Sequence, residues 1–111
     1  MTLKEVAEKT GGTIVVDVPE AVASSAYVGD LLSDVMGHAG DESVLVTVQN
    51  HLNAIAVCTL VGTTIIVICH ARPIPPDMAE AAKREGVAIV TTPLSQYAAA
   101  LALHELPPCE R

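Results

Sequence analysis

Large aromatic side chains are almost absent from this sequence of 111 residues, which contains no Phe, no Trp and two Tyr. Because 50% of the residues are nevertheless hydrophobic, a core must be filled with smaller aliphatic side chains. β-branched residues concentrate in four runs, at residues 13–18, 44–48, 63–68 and 87–92. Such residues pack well in strands, so the runs predict a β-rich core within one domain.

Basic residues are also scarce, since six Lys and Arg stand against thirteen Asp and Glu and give a formal net charge of −7. Proteins that bind nucleic acids use Lys and Arg to neutralise phosphates. An acidic surface repels phosphate backbones instead. The charge balance therefore predicts that the chain has no nucleic-acid partner.

Cysteine is rare, and Cys58, Cys69 and Cys109 do not form a disulfide pattern. An odd number of cysteines without such a pattern predicts free thiols in a reducing compartment, and hence a cytoplasmic location. No apolar run reaches the length that spans a membrane, because Gly62 interrupts the longest one. Residues 1–10 are charged and amphipathic, unlike a signal peptide. We therefore expect no membrane partner.

The common motifs for catalysis and for binding cofactors or metals are missing. Neither the P-loop pattern nor GxGxxG occurs, so the chain should not be a kinase by itself and should need no cofactor. The metal-binding spacings CxxC, HxxxH and HxH are absent too, and we expect no metal site. Cys69 and His70 are adjacent, but neighbouring strand residues point to opposite faces and do not form a catalytic dyad by themselves.

The first part of the chain predicts a helix, a strand and a short second helix. Thr2 and Glu5 form a capping box that should start the first helix. A strand is predicted at 13–18, and the stretch that follows it looks irregular. Asp30 is predicted to cap a short helix at 31–36.

Three strand–helix units follow. The strands are predicted at residues 44–48, 63–69 and 87–92, and the helices at residues 52–60, 78–85 and 94–103, the last capped by Thr92. Short loops and right-handed crossovers make these strands parallel, whereas the direction of the first strand stays open. The predicted fold is a three-layer α/β/α domain with a mostly parallel or mixed sheet of about four or five strands. It should cover 1–106 and leave a frayed tail at 107–111.

Polar residues follow the parallel strands at the edge of the sheet where ligands usually bind in α/β proteins. Helix N-termini at this edge favour negative charge, so an anionic small molecule is the expected ligand. The candidate ligand-binding residues are Asp30, Ser33, Gln49, Asn50, His51, Asn53, His70, Arg72, Thr91, Thr92 and Ser95. The alternative is that these residues only cap helices and solvate loops.

The predicted helix at 52–60 reads LNAIAVCTL and is apolar nearly all round. A helix of this kind must be buried on more than one side. The positive mean hydropathy of the chain also suggests a covered apolar surface. A second copy of the chain is the simplest cover, so we expect a homodimer.

Three segments resemble the DRTGG domain family, in a stand-alone form: YVGDLLSDVM at 27–36, QNHLNAIAV at 49–57 and IVTTPLS at 89–95. The opening TLKEVAEKTGGTIV extends the resemblance over nearly the whole chain. This family is similar to the N-terminal domain of HPr kinase/phosphorylase, and the resemblance implies a three-layer α/β fold with a mixed sheet. It also implies a regulatory or assembly role, not a catalytic one. The Asp-Arg-Thr-Gly-Gly letters themselves are missing, since residues 20–26 read EAVASSA.

Three hypotheses about function result. The first is a non-catalytic, dimeric regulatory or assembly module that senses an anionic or nucleotide-like metabolite. The second is a purely structural protein–protein interaction domain. The third is a small enzyme that uses His51 or His70 as acid or base, although no catalytic residue is assigned.

Overall fold

The computed structural model describes residues 1–110 of the chain. Its helices are α1 (Leu3–Thr10), α2 (Leu32–His38), α3 (Leu52–Val61), α4 (Pro76–Glu85) and α5 (Gln96–Ala102). Its strands are β1 (Thr13–Val16), β2 (Ser25–Val28), β3 (Ser43–Thr47), β4 (Thr63–Ile68) and β5 (Ala88–Thr91). None of these helices is long and apolar enough to cross a membrane.

The five strands form one mixed sheet in the order β1-β5-β4-β3-β2. β2, β3, β4 and β5 are parallel, and β1 pairs antiparallel with β5. The register aligns one apolar row across the whole sheet, formed by Tyr27, Leu45, Ile66, Ile89 and Val16. The predicted fold class is therefore confirmed, and the direction of the first strand is now known.

Helices cover both faces of the sheet and complete three layers. On one face α2, α3 and α4 lie side by side, because each follows a parallel strand through a crossover of the same hand. On the other face α1 and α5 pack against the alternate side chains, such as Val44 and Val67. Side chains of β3, β4 and β5 are buried on both faces, which explains their nearly continuous apolar sequence.

α3 occupies the middle of the three-helix layer, between α2 and α4. Ala54, Ile55, Val57 and Cys58 are buried against the sheet and the flanking helices. The prediction that this helix is buried on more than one side is thus confirmed within a single copy of the chain. The outer face of α3 is not covered by these neighbours.

Two details of the predicted first half are wrong. β2 lies partly in the stretch predicted to be irregular. It is a half-buried edge strand of only four residues, SAYV, and so lacks a strong apolar pattern. Asp30 does not cap α2, whose N-cap is Leu31 without a side-chain hydrogen bond. The carboxylate of Asp30 turns instead toward the end of β3, where it has stronger partners.

Two details near the C-terminus also differ. Thr92 does not cap α5, because the chain remains irregular for three more residues and the hydroxyl of Ser95 accepts the capping bond from the N–H of Ala98. Fraying is wrong for residues 107–109. The N–H of Ala26 in β2 donates to the carbonyl of Pro107, and the N–H of Cys109 donates to the carbonyl of Ala26. The domain limit at 106 stays a prediction.

Candidate functional site

Asp30 lies at the centre of the polar edge where the parallel strands end. Its Oδ1 accepts hydrogen bonds from Thr47 Oγ1 at 2.9 Å, from the N–H of Val48 at 3.0 Å and from Gln96 Nε2 at 3.0 Å. One carboxylate thereby joins the loop before α2, the end of β3 and the start of α5. Gln96 was not among the predicted site residues, and it lies 66 positions from Asp30 in the sequence.

The pKa of the Asp30 carboxyl lies below its ordinary value, although two opposing effects act on it. Burial is the largest effect and would raise the pKa. The hydrogen bonds from Val48, Thr47 and Gln96, together with the positive charge of Arg72, outweigh burial. Asp30 is therefore a stable anion at neutral pH that holds its neighbours in place.

Gln49 connects Asp30 to the start of α3. Its Nε2 donates to the backbone carbonyl of Asp30 at 2.7 Å, and its Oε1 lies 2.6 Å from Nε2 of His51. His51 is the N-cap residue of α3, but its side chain makes no capping bond. The amide of Asn50 donates to the carbonyl of Pro73 at 2.8 Å and thus ties this loop to the one after β4.

The loop after β4 has an uncommon backbone, since His70 and Ala71 adopt the left-handed conformation with φ of 59° and 52°. Their N–H groups donate to the carbonyls of Leu94 at 2.9 Å and Thr92 at 2.8 Å. These bonds compensate for a conformation that non-glycine residues adopt only at some cost. The next residue, Arg72, is exposed and its charge acts on Asp30.

Three of the predicted site residues serve the fold. Thr91 is paired within the sheet with Thr13 and Ile68. The buried hydroxyl of Thr92 donates to the carbonyl of Thr10 at 2.7 Å and accepts from the N–H of Leu94. Ser95 caps α5.

The structure thus divides the predicted set. Asp30, Gln49, His51 and Arg72 come together with Gln96, and Asn50, between Gln49 and His51, bonds to the loop after β4. Within residues 1–110, the side chains of the remaining three, Ser33, Asn53 and His70, are exposed and make no hydrogen bond.

The chemistry available at this edge is limited. Burial, with a smaller effect of the Asp30 charge, raises the pKa of the Cys69 thiol to about 11. It therefore stays protonated at neutral pH and is a poor nucleophile. Both His51 and His70 are exposed and lack the enclosed surroundings of a typical catalytic histidine. No three potential metal ligands converge anywhere in the described part of the chain.

A second feature lies away from this edge, on the outer surface of the three-helix layer. A groove of about 370 Å³ runs between α3 and α4. It is lined by Leu52, Ile55, Ala56, Thr59, Ala81, Arg84 and Glu85. Leu60, near the C-terminal end of α3, is 71% exposed. Sequence reasoning identified the apolar helix but not the groove, because the groove depends on how α4 packs against α3.

No protein-family model and no curated protein sequence matches this chain. Among solved structures, the chain resembles the CBS and DRTGG domains of the regulatory region of a Clostridium perfringens pyrophosphatase, complexed with its activator diadenosine tetraphosphate. The TM-score is 0.80 at 13% sequence identity, over 96% of this chain and 47% of that chain, so this chain spans about half of it. The likeness supports a DRTGG-like α/β fold. Membership of the DRTGG family stays a prediction.

Proposed function

We propose that this chain is a non-catalytic regulatory or assembly module that acts as a homodimer. The observation that carries the proposal is the outer face of α3, which exposes Leu52 and Leu60 and has no charged residue in a chain of net charge −7. Exposed apolar surfaces of this kind are typical of protein–protein interfaces. The DRTGG-like fold supports a regulatory role, because the matched structure is itself a regulatory region.

The absence of catalytic activity is part of this proposal. The protonated thiol of Cys69 and the exposed rings of His51 and His70 do not form a nucleophile–base pair or an enclosed acid–base site. The matched pyrophosphatase structure also represents a regulatory part of its protein and not a catalytic one.

Self-association is tested by sedimentation velocity of the purified chain over a range of micromolar concentrations. We expect the mass of a dimer, with a shift toward the monomer only on dilution. A single monomer species at every concentration would contradict the homodimer.

We further propose that the module senses an anionic or nucleotide-like metabolite at the carboxyl edge of the sheet. Arg72 supports this, because its guanidinium group is exposed and makes no hydrogen bond within residues 1–110. Arg is well suited to bind phosphate groups in a bidentate manner. Gln49 and Asn50 lie in the loop after β3, and the bond from Asn50 to Pro73 holds this loop beside the one that carries Arg72.

Calorimetric titration with diadenosine tetraphosphate, ATP, AMP and acetyl phosphate tests the sensing role. We expect one of these ligands to bind, and Arg72→Ala to weaken it at least about tenfold through the loss of a charge-assisted contact. Lys4→Ala is the control, because it removes one positive charge from the exposed side of α1. Titrations without heat across the whole panel would remove the sensing role and leave the assembly role.

A purely structural interaction domain is the alternative, and one observation favours it. Many polar groups at the edge already satisfy each other, as the bonds of Asp30 with Thr47 and Gln96 and of Gln49 with His51 show. In that case Arg72→Ala and Asn50→Ala should leave both the dimer and every ligand titration unchanged.

A further inference from the structure

The outward face of α3 differs from an ordinary solvent-facing helix surface. None of its ten residues is charged, and Leu52 is 43% exposed and Leu60 71% exposed. Asn53, Ala56 and Thr59 complete this face. The hydroxyl of Thr59 donates to the carbonyl of Ile55, so it is already satisfied by its own helix.

The helical spacing places Ala56 in the middle of this face. With 3.6 residues per turn, Leu52 lies about 40° to one side of Ala56 and Leu60 about 40° to the other. A small side chain between two leucines allows another helix to approach closely at that point. The leucines would then contact the approaching helix on either side of the crossing.

The groove between α3 and α4 lies on the Leu52 side of this face, and its rim carries one charge of each sign. These charges are Arg84 and its neighbour Glu85, near the C-terminal end of α4. Within residues 1–110 neither takes part in an ion pair. Both are therefore available to a partner.

We infer that this surface binds α3 of a second copy of the chain, with the two helices antiparallel and a two-fold axis close to Ala56. The inference rests on the proposed homodimer and names its interface. Antiparallel pairing around residue 56 sets Leu52 beside Leu60 of the partner subunit, and Leu60 beside Leu52 of the partner subunit. Each α3–α4 groove then receives a leucine from the other subunit.

Charge favours a second copy as the occupant. Two molecules of net charge −7 repel each other, and they approach at the lowest electrostatic cost through a surface without acidic excess. α3 is uncharged, and Arg84 with Glu85 adds no net charge. A two-fold contact is self-complementary, so it can bring each of these charges toward the opposite charge of the other subunit.

Charge-swap variants at Ala56 test the arrangement, because residue 56 should meet residue 56 across the axis. Ala56 is exposed, so Ala56→Glu and Ala56→Lys should both fold. We expect each variant alone to dimerise at least about a hundredfold more weakly than the wild type, since like charges would be opposed in the interface. An equimolar mixture of the two should form a heterodimer by sedimentation velocity.

Leu101→Glu is the matched control. Leu101 is a leucine 55% exposed on α5, another helix without charged residues, but it lies on the opposite face of the sheet. This variant should dimerise like the wild type, whereas Leu60→Glu should not. Circular dichroism of all variants confirms that they fold.

Other outcomes overturn the inference in distinguishable ways. A dimer that resists Ala56→Glu but dissociates with Leu101→Glu would place the interface on α5 and leave the homodimer itself standing. Two monomeric variants that do not associate when mixed would contradict the antiparallel crossing at Ala56. A monomeric wild type would contradict both the inference and the proposed homodimer.

Discussion

α1 and α3 are helices of similar length that meet solvent in opposite ways. The exposed face of α1 carries Lys4, Glu5, Glu8 and Lys9, and its charges balance. α3 has no charged residue and presents leucines to solvent. Both helices bury a face of comparable apolar character. The difference in apolar character therefore concerns the outer surface, which folding of a single copy does not require to be apolar.

The two helices also begin differently. α1 has a capping box in which Thr2 and Glu5 satisfy each other's backbone groups. α3 has no side-chain cap, and the loop before it is held by distant contacts of Asp30, Gln49 and Asn50. The start of α1 is encoded within four residues, whereas the start of α3 depends on the assembled sheet edge. This contrast indicates that the start of α3 is set by tertiary structure, whereas the start of α1 is set by local signals.

The largest expected effect is a difference in stability between substitutions on the buried face and on the exposed face of α3. Ile55→Ala should lower the free energy of unfolding by about 3–4 kcal/mol, because Ile55 is fully buried and a cavity would remain. Leu60→Ala should change it by less than about 0.5 kcal/mol in a monomer. Urea unfolding in the Ala56→Glu background measures both without a contribution from association. Equal losses would mean that Leu60 packs within its own chain.

The helix ends give the next comparison, since α1 ends at Gly11 and α3 at Gly62, both left-handed with φ of 61° and 85°. A side chain at Gly62 would meet the carboxylate of Asp41 and lie 3.1 Å from its Cα, whereas one at Gly11 would meet nothing within 4 Å. Gly62→Ala should therefore destabilise by about 3 kcal/mol and Gly11→Ala by about 1 kcal/mol. Thermal or urea unfolding measures both losses of stability. Equal losses would contradict the close contact between a side chain at position 62 and Asp41.

Asp30→Asn tests the distant support of α3. The folded-state pKa of Asp30 is lowered, so its stabilising effect is present above the ordinary carboxyl pKa and is lost as the pH falls through the folded-state value. The variant should be less stable than the wild type by about 1–2 kcal/mol at neutral pH, because hydrogen bonds to a charged acceptor are weakened. This difference in stability between the wild type and Asp30→Asn should disappear at acidic pH. Asp17→Asn, at an exposed site, is the control, and a gap independent of pH would refute this role.

The smallest expected effect concerns the caps. Thr2→Ala should destabilise by about 1 kcal/mol, because the N–H of Glu5 would lose its acceptor. His51→Ala should cost less, since that side chain caps nothing and its one hydrogen bond, to Gln49, is exposed. The pKa of Glu5 is lowered chiefly by its hydrogen bond with the Thr2 backbone and then by the Thr2 hydroxyl. Thr2→Ala removes only the hydroxyl, so the pKa should rise partway toward its ordinary value, which NMR titration measures. Equal losses of stability from Thr2→Ala and His51→Ala would contradict the difference between the starts of α1 and α3.

Local and strongly periodic features could be predicted from the sequence. The capping box of α1, the buried strands β3, β4 and β5 and the helices between them are confirmed, because apolar runs and glycine stops encode them directly. β2 was missed, since an edge strand with half-buried small residues such as Ser25 and Ala26 has no clear pattern. Its pairing with residues 107–109 is a contact that no local signal records.

The candidate site was predictable in place but not in detail. Parallel strands bring their carboxyl ends to one edge, which is why Gln49, His51 and Arg72 could be grouped from the sequence. Asp30 was placed at the same edge through the short helix that follows it. Asp30 was assigned as a helix cap because an Asp before a short helix has the same local pattern in both roles. Gln96 was missed because its bond to Asp30 depends on the packing of α5.

Sedimentation velocity of the wild type beside Ala56→Glu, at the same micromolar concentration, tests directly whether α3 joins two copies of the chain. If the uncharged outer face of α3 joins two copies, the wild type sediments as a dimer and Ala56→Glu as a folded monomer. Identical sedimentation of the two proteins, whether as monomers or as dimers, would show that α3 is not the assembly surface.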